Sequence, residues 1–173
     1  MSGFTLIELM VAIAVLAVLA TLAMPGFSLF IADQKVRIAI ADLHADLKLA
    51  RTDAIANQRR VFMILNAPTD WKQGWLICGD AACSDILHRS AGFSGRIAVC
   101  TNIGDFAAGT IIFRPDGRIE RSSTPVADER ITISDTMNDT DASNDRIRSI
   151  YFGPSGRMHT IIQNGWSEGG QPC

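Results

Sequence analysis

Residues 3–27 read GFTLIELMVAIAVLAVLATLAMPGF, and how this stretch is read decides the fold. Over residues 4–24 its polar side chains are Thr5, Glu8 and Thr21. At about 1.5 Å per residue such a helix is about 30 Å long, the thickness of bilayer hydrocarbon. The stretch is therefore expected to cross a membrane. A removable secretory signal would open with Lys or Arg and end at a small-residue cleavage site, and neither end fits that pattern. Glu8 is the anomaly. A carboxylate within hydrocarbon costs a few kcal/mol unless it has a partner. No Lys, Arg or His lies between residues 4 and 27 to supply one.

Working outward, apolar residues recur at Val36, Ile40, Leu43, Leu47, Ala50 and Ala54. This alternation of four and three residues marks one face of an amphipathic helix. Asp33, Lys35, Arg37, Asp42, Asp46, Lys48 and Arg51 fill its other faces. The expectation is one long helix: residues 4–27 form the membrane half, residues 28–59 the half that packs on a domain, and Pro25 weakens the joint. Beyond Arg60 the pattern changes to short β-type runs: VFMIL (61–65), WKQGWLIC (71–78), DILHR (85–89), RIAVC (96–100), TIIF (110–113), GRIER (117–121), RITIS (130–134), RSIYF (148–152) and RMHTIIQ (157–163). NAPTD, RPDG and GPSG punctuate them as turns. Such short connections leave no room for crossover helices, so the sheets should be antiparallel and packed on the helix. The fold class is α+β, with residues 60–173 as the β-rich domain. DTMNDTDASNDR (135–146) reads as an exposed polar loop. FRPDGRI (113–119) and FGPSGRM (152–158) echo each other and predict two β-hairpins built alike.

The chain has 173 residues and a net charge of −2. Once the apolar segment is set aside, this leaves one domain of roughly 120–150 residues, large enough for a real core. The charge balance gives no general electrostatic case for nucleic acid. The four cysteines, Cys78, Cys83, Cys100 and Cys173, all lie beyond the apolar segment. That suits disulfides in an oxidising compartment. Of the three possible pairings we expect Cys78 with Cys83, closing the turn-like CGDAAC, and Cys100 with Cys173, tying down the last residue. A zinc site is the rival, but CxxC spacing is missing and His88 is the only histidine near the first pair.

Residues 3–27 also resemble the class III signal of type IV pilins and type II secretion pseudopilins. In that family a prepilin peptidase cuts after Gly and N-methylates the new first residue. The resemblance implies a leader of residues 1–3, cleavage between Gly3 and Phe4, and an N-methylated Phe4. Glu8 then takes the place of the family's helix glutamate, and Pro25 falls where pilin helices often bend. The leader is MSG, where the family's is basic just before the Gly. Cleavage would create an amine at Phe4, and the Glu8 of a neighbouring subunit could neutralise it in an apolar filament core. The later stretches LKLARTDAIANQRRV (47–61), GWLI (74–77), IIFRPDGRI and GRMH are similar to the GspH/FimT class of minor pilins and pseudopilins, and the cysteines favour its FimT/FimU-like side. The class implies a protein that begins as a single-pass inner-membrane precursor with a periplasmic C-terminal domain and ends in a pilus. Its partners would be the prepilin peptidase and other minor and major pilins, with no cofactor. A type II secretion pseudopilin is the alternative.

Nothing points to catalysis. His44, His88 and His159 have no nucleophile elbow, HExxH, phosphate-cradling loop or paired carboxylates around them. Double-stranded DNA is the sharper alternative partner. FimT-like DNA receptors carry a C-terminal Gly-Arg-x-Arg motif, and this chain has Gly156, Arg157, Met158 and His159. Arg118 and Arg121 would add positive charge if the two hairpins lie side by side, although Glu120 partly cancels it.

Overall fold

A computed structural model of the chain describes residues 5–67, 70–95, 97–103, 109–121, 129–134 and 147–163, without the side chains of 22–29 and 163. Two compact units divide the chain, Met1–Gln34 and Lys35–Cys173. Helix α1 (Leu6–Ala56) contributes its first part to one and the rest to the other. In the second unit its face Val36, Ile40, Leu43, Leu47, Ala50 and Ala54 is buried, as the four-and-three spacing predicts. Burying a side chain such as Leu43 or Leu47 is worth about 1.5–3 kcal/mol. The helix stops in a left-handed cap. Gln58 has φ 50, and the amides of Arg59 and Gln58 reach back to the carbonyls of Ala54 (3.2 Å) and Ile55 (3.4 Å). This 6→1 and 5→2 pairing turns the chain out of the helix and into the first strand.

Among the described residues eight strands follow: β1 (Val61–Leu65), β2 (Trp75–Cys78), β3 (Ile86–Ser90), β4 (Ala98–Thr101), β5 (Thr110–Phe113), β6 (Arg130–Ser134), β7 (Ile147–Phe152) and β8 (Met158–Gln163). They form two four-stranded sheets, ordered β3-β2-β1-β5 and β4-β6-β7-β8. Every pairing is antiparallel, as the short connections require. The first sheet buries Val61, Met63, Trp75, Ile77, Ile111 and Phe113. The second buries Ile131, Ile133, Ile150 and Phe152 against the same core as the helix face.

Two expected strands need correction. In WKQGWLIC, residues Trp71–Gln73 form a 3-10 turn instead. The Asp70 carboxylate accepts the Lys72 amide at 3.0 Å, and this local bond competes with extension, so the strand begins only at Trp75. GRIER is not a strand either. It makes a single bridge, Phe113↔Ile119, because Gly117 is still part of the turn. The 135–146 loop lies outside the described residues.

The helix is also held to the first sheet by polar contacts. Asp46 accepts the Trp75 indole N–H at 2.8 Å, and its other oxygen lies 3.3 Å from His88 Nε2. Trp75 in turn meets Trp71 and Phe93 edge-on, with ring centroids 5.9 and 5.2 Å apart.

Candidate functional site

At the N-terminal end of α1 the Thr5 side chain caps the helix. Its hydroxyl accepts the Glu8 backbone amide at 3.3 Å, and its carbonyl accepts that of Leu9 at 3.3 Å. Thr5 and Glu8 thus occupy the two positions of a capping box, and a carboxylate in the first turn also suits the helix dipole. From Leu6 to Leu19 the large apolar side chains are exposed all round the helix. A helix that is apolar on every face is covered by lipid or by other helices. Its described side chains stop at Thr21 and resume at Phe30; among the described residues no helix is long and apolar enough to cross a membrane. Gly3 and Phe4 lie outside the described residues. The helical backbone runs through Pro25, whose side chain is not among them.

A second cluster lies where the two echoed hairpins meet. In the first, the Arg114 amide donates to the Arg118 carbonyl and the Gly117 amide to the Arg114 carbonyl, each at 2.8 Å. In the second, Gly153 donates to Arg157 at 2.8 Å and Gly156 to Gly153 at 2.9 Å. Gly117 and Gly156 have φ of 76 and 74. The turns belong to different sheets but touch: a Cβ built on Gly156 would fall 2.1 Å from the Gly117 oxygen. Arg51 of the helix clasps both, donating from Nε to the Gly117 carbonyl at 2.9 Å and from a terminal nitrogen to the Ser155 carbonyl at 3.5 Å. Arg118 and Arg157 are exposed on these abutting turns. Arg114 faces Asp116 at 3.6 Å. Arg121 is taken up elsewhere: its guanidinium pairs with the buried Glu129. His159 is exposed and stacks on Tyr151, with centroids 5.5 Å apart.

Arg51 is the residue that sequence reading did not place here. It appeared only as one of several charges on the polar side of a helix, and its turn partners come more than sixty residues later.

The Cys78–Cys83 disulfide is present, with Cα atoms 5.1 Å apart, and it staples the loop between β2 and β3. Inside that loop Asp80 accepts the Ser84 hydroxyl (2.7 Å), the Ser84 amide (3.1 Å) and the Asp85 amide (2.8 Å). These bonds, the Ser84 hydroxyl foremost, hold the Asp80 carboxyl down at about 2. A group lowered in this way stabilises the loop above its ordinary value of 3.8. It gives that stabilisation up as pH falls from about 4 through about 2. An NMR titration should therefore show the Ser84 and Asp85 amides moving with a midpoint near 2. Arg59 closes the outside of the loop, reaching Asp85 at 2.7 Å and Asp53 at 3.2 Å.

Cys100 is also disulfide-bonded; Cys173, its expected partner, lies outside the described residues. The histidines do not converge. His44, on the helix, faces Thr160 at 3.4 Å, and burial, helped by the Lys48 charge, pushes its imidazole below the ordinary value. Among the described residues no group of His, Cys, Asp and Glu could hold a metal ion.

Residues 39–165 match the family described as type II transport protein GspH, and residues 1–24 match the prokaryotic N-terminal methylation motif. No curated protein matches the chain in sequence. Two crystal structures of the type IV minor pilin FimU from Pseudomonas aeruginosa (strain PAO1) are similar in fold. One has a TM-score of 0.60 at 20% identity, covering 76% of this chain and 92% of FimU. The other has a TM-score of 0.57 at 20% identity, covering 72% and 91%.

Proposed function

As this chain belongs to the GspH family and carries the N-terminal methylation motif, we propose that it is a minor pilin that primes assembly of a type IV pilus and sits at or near its tip. In this reading the prepilin peptidase cuts between Gly3 and Phe4 and methylates Phe4. Residues 4–27 anchor the precursor in the inner membrane with the β-rich domain in the periplasm. The observation that carries the reading is the helix half whose apolar side chains are exposed on every face, interrupted by the single carboxylate of Glu8. Such a surface suits first lipid and then a bundle of like helices, with other minor and major pilins as partners. The FimU-like fold supports a pilus over a secretion machine. An in-frame deletion should remove surface pili and leave type II secretion intact. The reverse outcome would assign the chain to the secretion pseudopilins.

DNA binding is kept as a second reading because the abutting turns bring Arg118 and Arg157 to one surface, with Arg51 behind them. Full-length protein in detergent micelles should then shift double-stranded DNA in gels at low salt. Arg157→Ala should weaken binding across all sequences and lower the slope of log K against log salt by about one. Absence of a shift at low salt, or a shift indifferent to Arg157→Ala, would end this reading.

A further inference from the structure

Along β6 and β7 the second sheet is largely buried on both faces, while β8 is exposed from His159 to Ile162, and the common core accounts for only one of the buried faces. Along β4, β6 and β7 the residues Val99, Ile131, Ile133 and Ile150 pack on the core, so their alternating neighbours point the other way. The register lines those neighbours up in rows. Cys100 opposes Thr132, Thr132 opposes Ser149, and Ser149 opposes Ile161; Ala98 opposes Ser134 in the next row. This outer face should be solvated in an antiparallel sheet with one packed side. Instead Ile147 and Ser149 are 0% exposed, and Thr132, Ser134 and Ala98 are at 5%, 4% and 8%. Ile147 and Ala98 are buried apolar residues that stand outside the contiguous cluster built on the helix face. Something other than that cluster covers them.

We propose that this outer face is the docking surface for the chain's own C-terminal segment, residues 164–173, which crosses from the end of β8 to β4 and is fastened there by a Cys100–Cys173 disulfide. Three observations select this occupant. Cys100 is disulfide-bonded, and Cys78 and Cys83 are already bonded to each other, which leaves Cys173 from the four cysteines. By alternation with Val99, Cys100 stands on the outer face, so its partner must arrive on that side. The reach is ample. β8 and β4 are the two edges of the sheet, three strand spacings or about 15 Å apart, and ten residues can extend about 33 Å. The segment also brings what the face requires. Trp166 is its one large apolar side chain and suits Ile147 and Ala98, while its backbone can meet the polar pair of Thr132 and Ser149, whose hydroxyls lie 2.9 Å apart. The outward surface of this sheet is then the tail itself, and any partner docking here reads residues 164–173 and not the strands.

Full-length protein in detergent micelles, digested without reductant, should yield a peptide joining Cys100 to Cys173. Since Trp71 and Trp75 are buried in the core, the emission lost in Trp166→Phe isolates Trp166. Iodide should quench that component several-fold less than free tryptophan. Ending the chain after Gln163, or Cys173→Ser, should speed amide exchange in 147–152 by about tenfold while leaving β1 and β2 unchanged. A different partner for Cys100, or a fully quenched Trp166, would overturn the proposal, and both are read on chains that keep the segment. Exchange in 147–152 unmoved by its removal would hand the cover to another segment, such as 135–146, and would equally overturn it.

Discussion

Glu8→Gln is expected to leave cleavage and methylation intact and to reduce incorporation into the pilus by about two orders of magnitude. The glutamine keeps the shape and hydrogen-bonding capacity of the first helical turn, so Thr5 still caps the helix through the amide of residue 8. What it removes is the charge. If that charge neutralises the Phe4 amine of a neighbouring subunit, the variant leaves an ammonium without a counter-ion in an apolar bundle. A charged group at the centre of a membrane helix costs about 3 kcal/mol on the lenient insertion scale, which is about a hundredfold in an equilibrium. The measurement is the amount of the variant in sheared pili relative to membranes, with mass spectrometry of the mature N-terminus confirming processing. Wild-type incorporation of Glu8→Gln would reduce Glu8 to a capping residue and remove the charge-pairing role.

The second large effect is expected at Gly156. Gly156→Ala should lower stability by about 3 kcal/mol: the left-handed backbone costs an L-residue about 1–2 kcal/mol, and forced overpacking costs about as much again. In a chain of this size that is about 6–12 °C of thermal midpoint. The reason is specific to what the new methyl group would meet. Backbone cannot yield, and the Cβ would lie 2.1 Å from the Gly117 oxygen and 3.1 Å from the Arg118 Cα. Gly117→Ala is the matched control. Its φ is nearly the same, but its Cβ would meet the Ile55 Cδ1 at 2.6 Å, the end of a side chain that can rotate away. The Gly156 variant should therefore melt clearly below the Gly117 variant, and equal midpoints would mean that the contact between the turns contributes nothing.

Much of this architecture could be read from residue order because the relevant forces are local. The buried face of α1 is written in its spacing, and VFMIL, TIIF and RITIS carry β-branched or aromatic residues between clear turn signals. The failures have local causes too. Asp70 diverts Trp71–Gln73 into a 3-10 turn through one side-chain bond, and Gly117 holds the start of GRIER in a turn, which leaves Ile119 with a single bridge. Thr5 and Glu8 hold the Thr-x-x-Glu spacing of a capping box, but in a membrane-length run hydropathy is the stronger signal. Arg51 and Arg121 were not legible. A surface arginine has the same appearance in sequence whether it is solvated, clasps two distant carbonyls, or pairs with a buried Glu129. Only the meeting of segments far apart in the chain distinguishes these cases.

The echo between FRPDGRI and FGPSGRM is more than a repeated way of building a hairpin. The two turns abut backbone to backbone and share the guanidinium of Arg51, so neither can change length, and Gly156 cannot gain a side chain, without disturbing the other. For divergence among related chains this makes them a single heritable unit. An insertion in one turn would survive only alongside a compensating change in its counterpart or in the helix, and loop grafting that treats either hairpin as an independent module would fail at this seam.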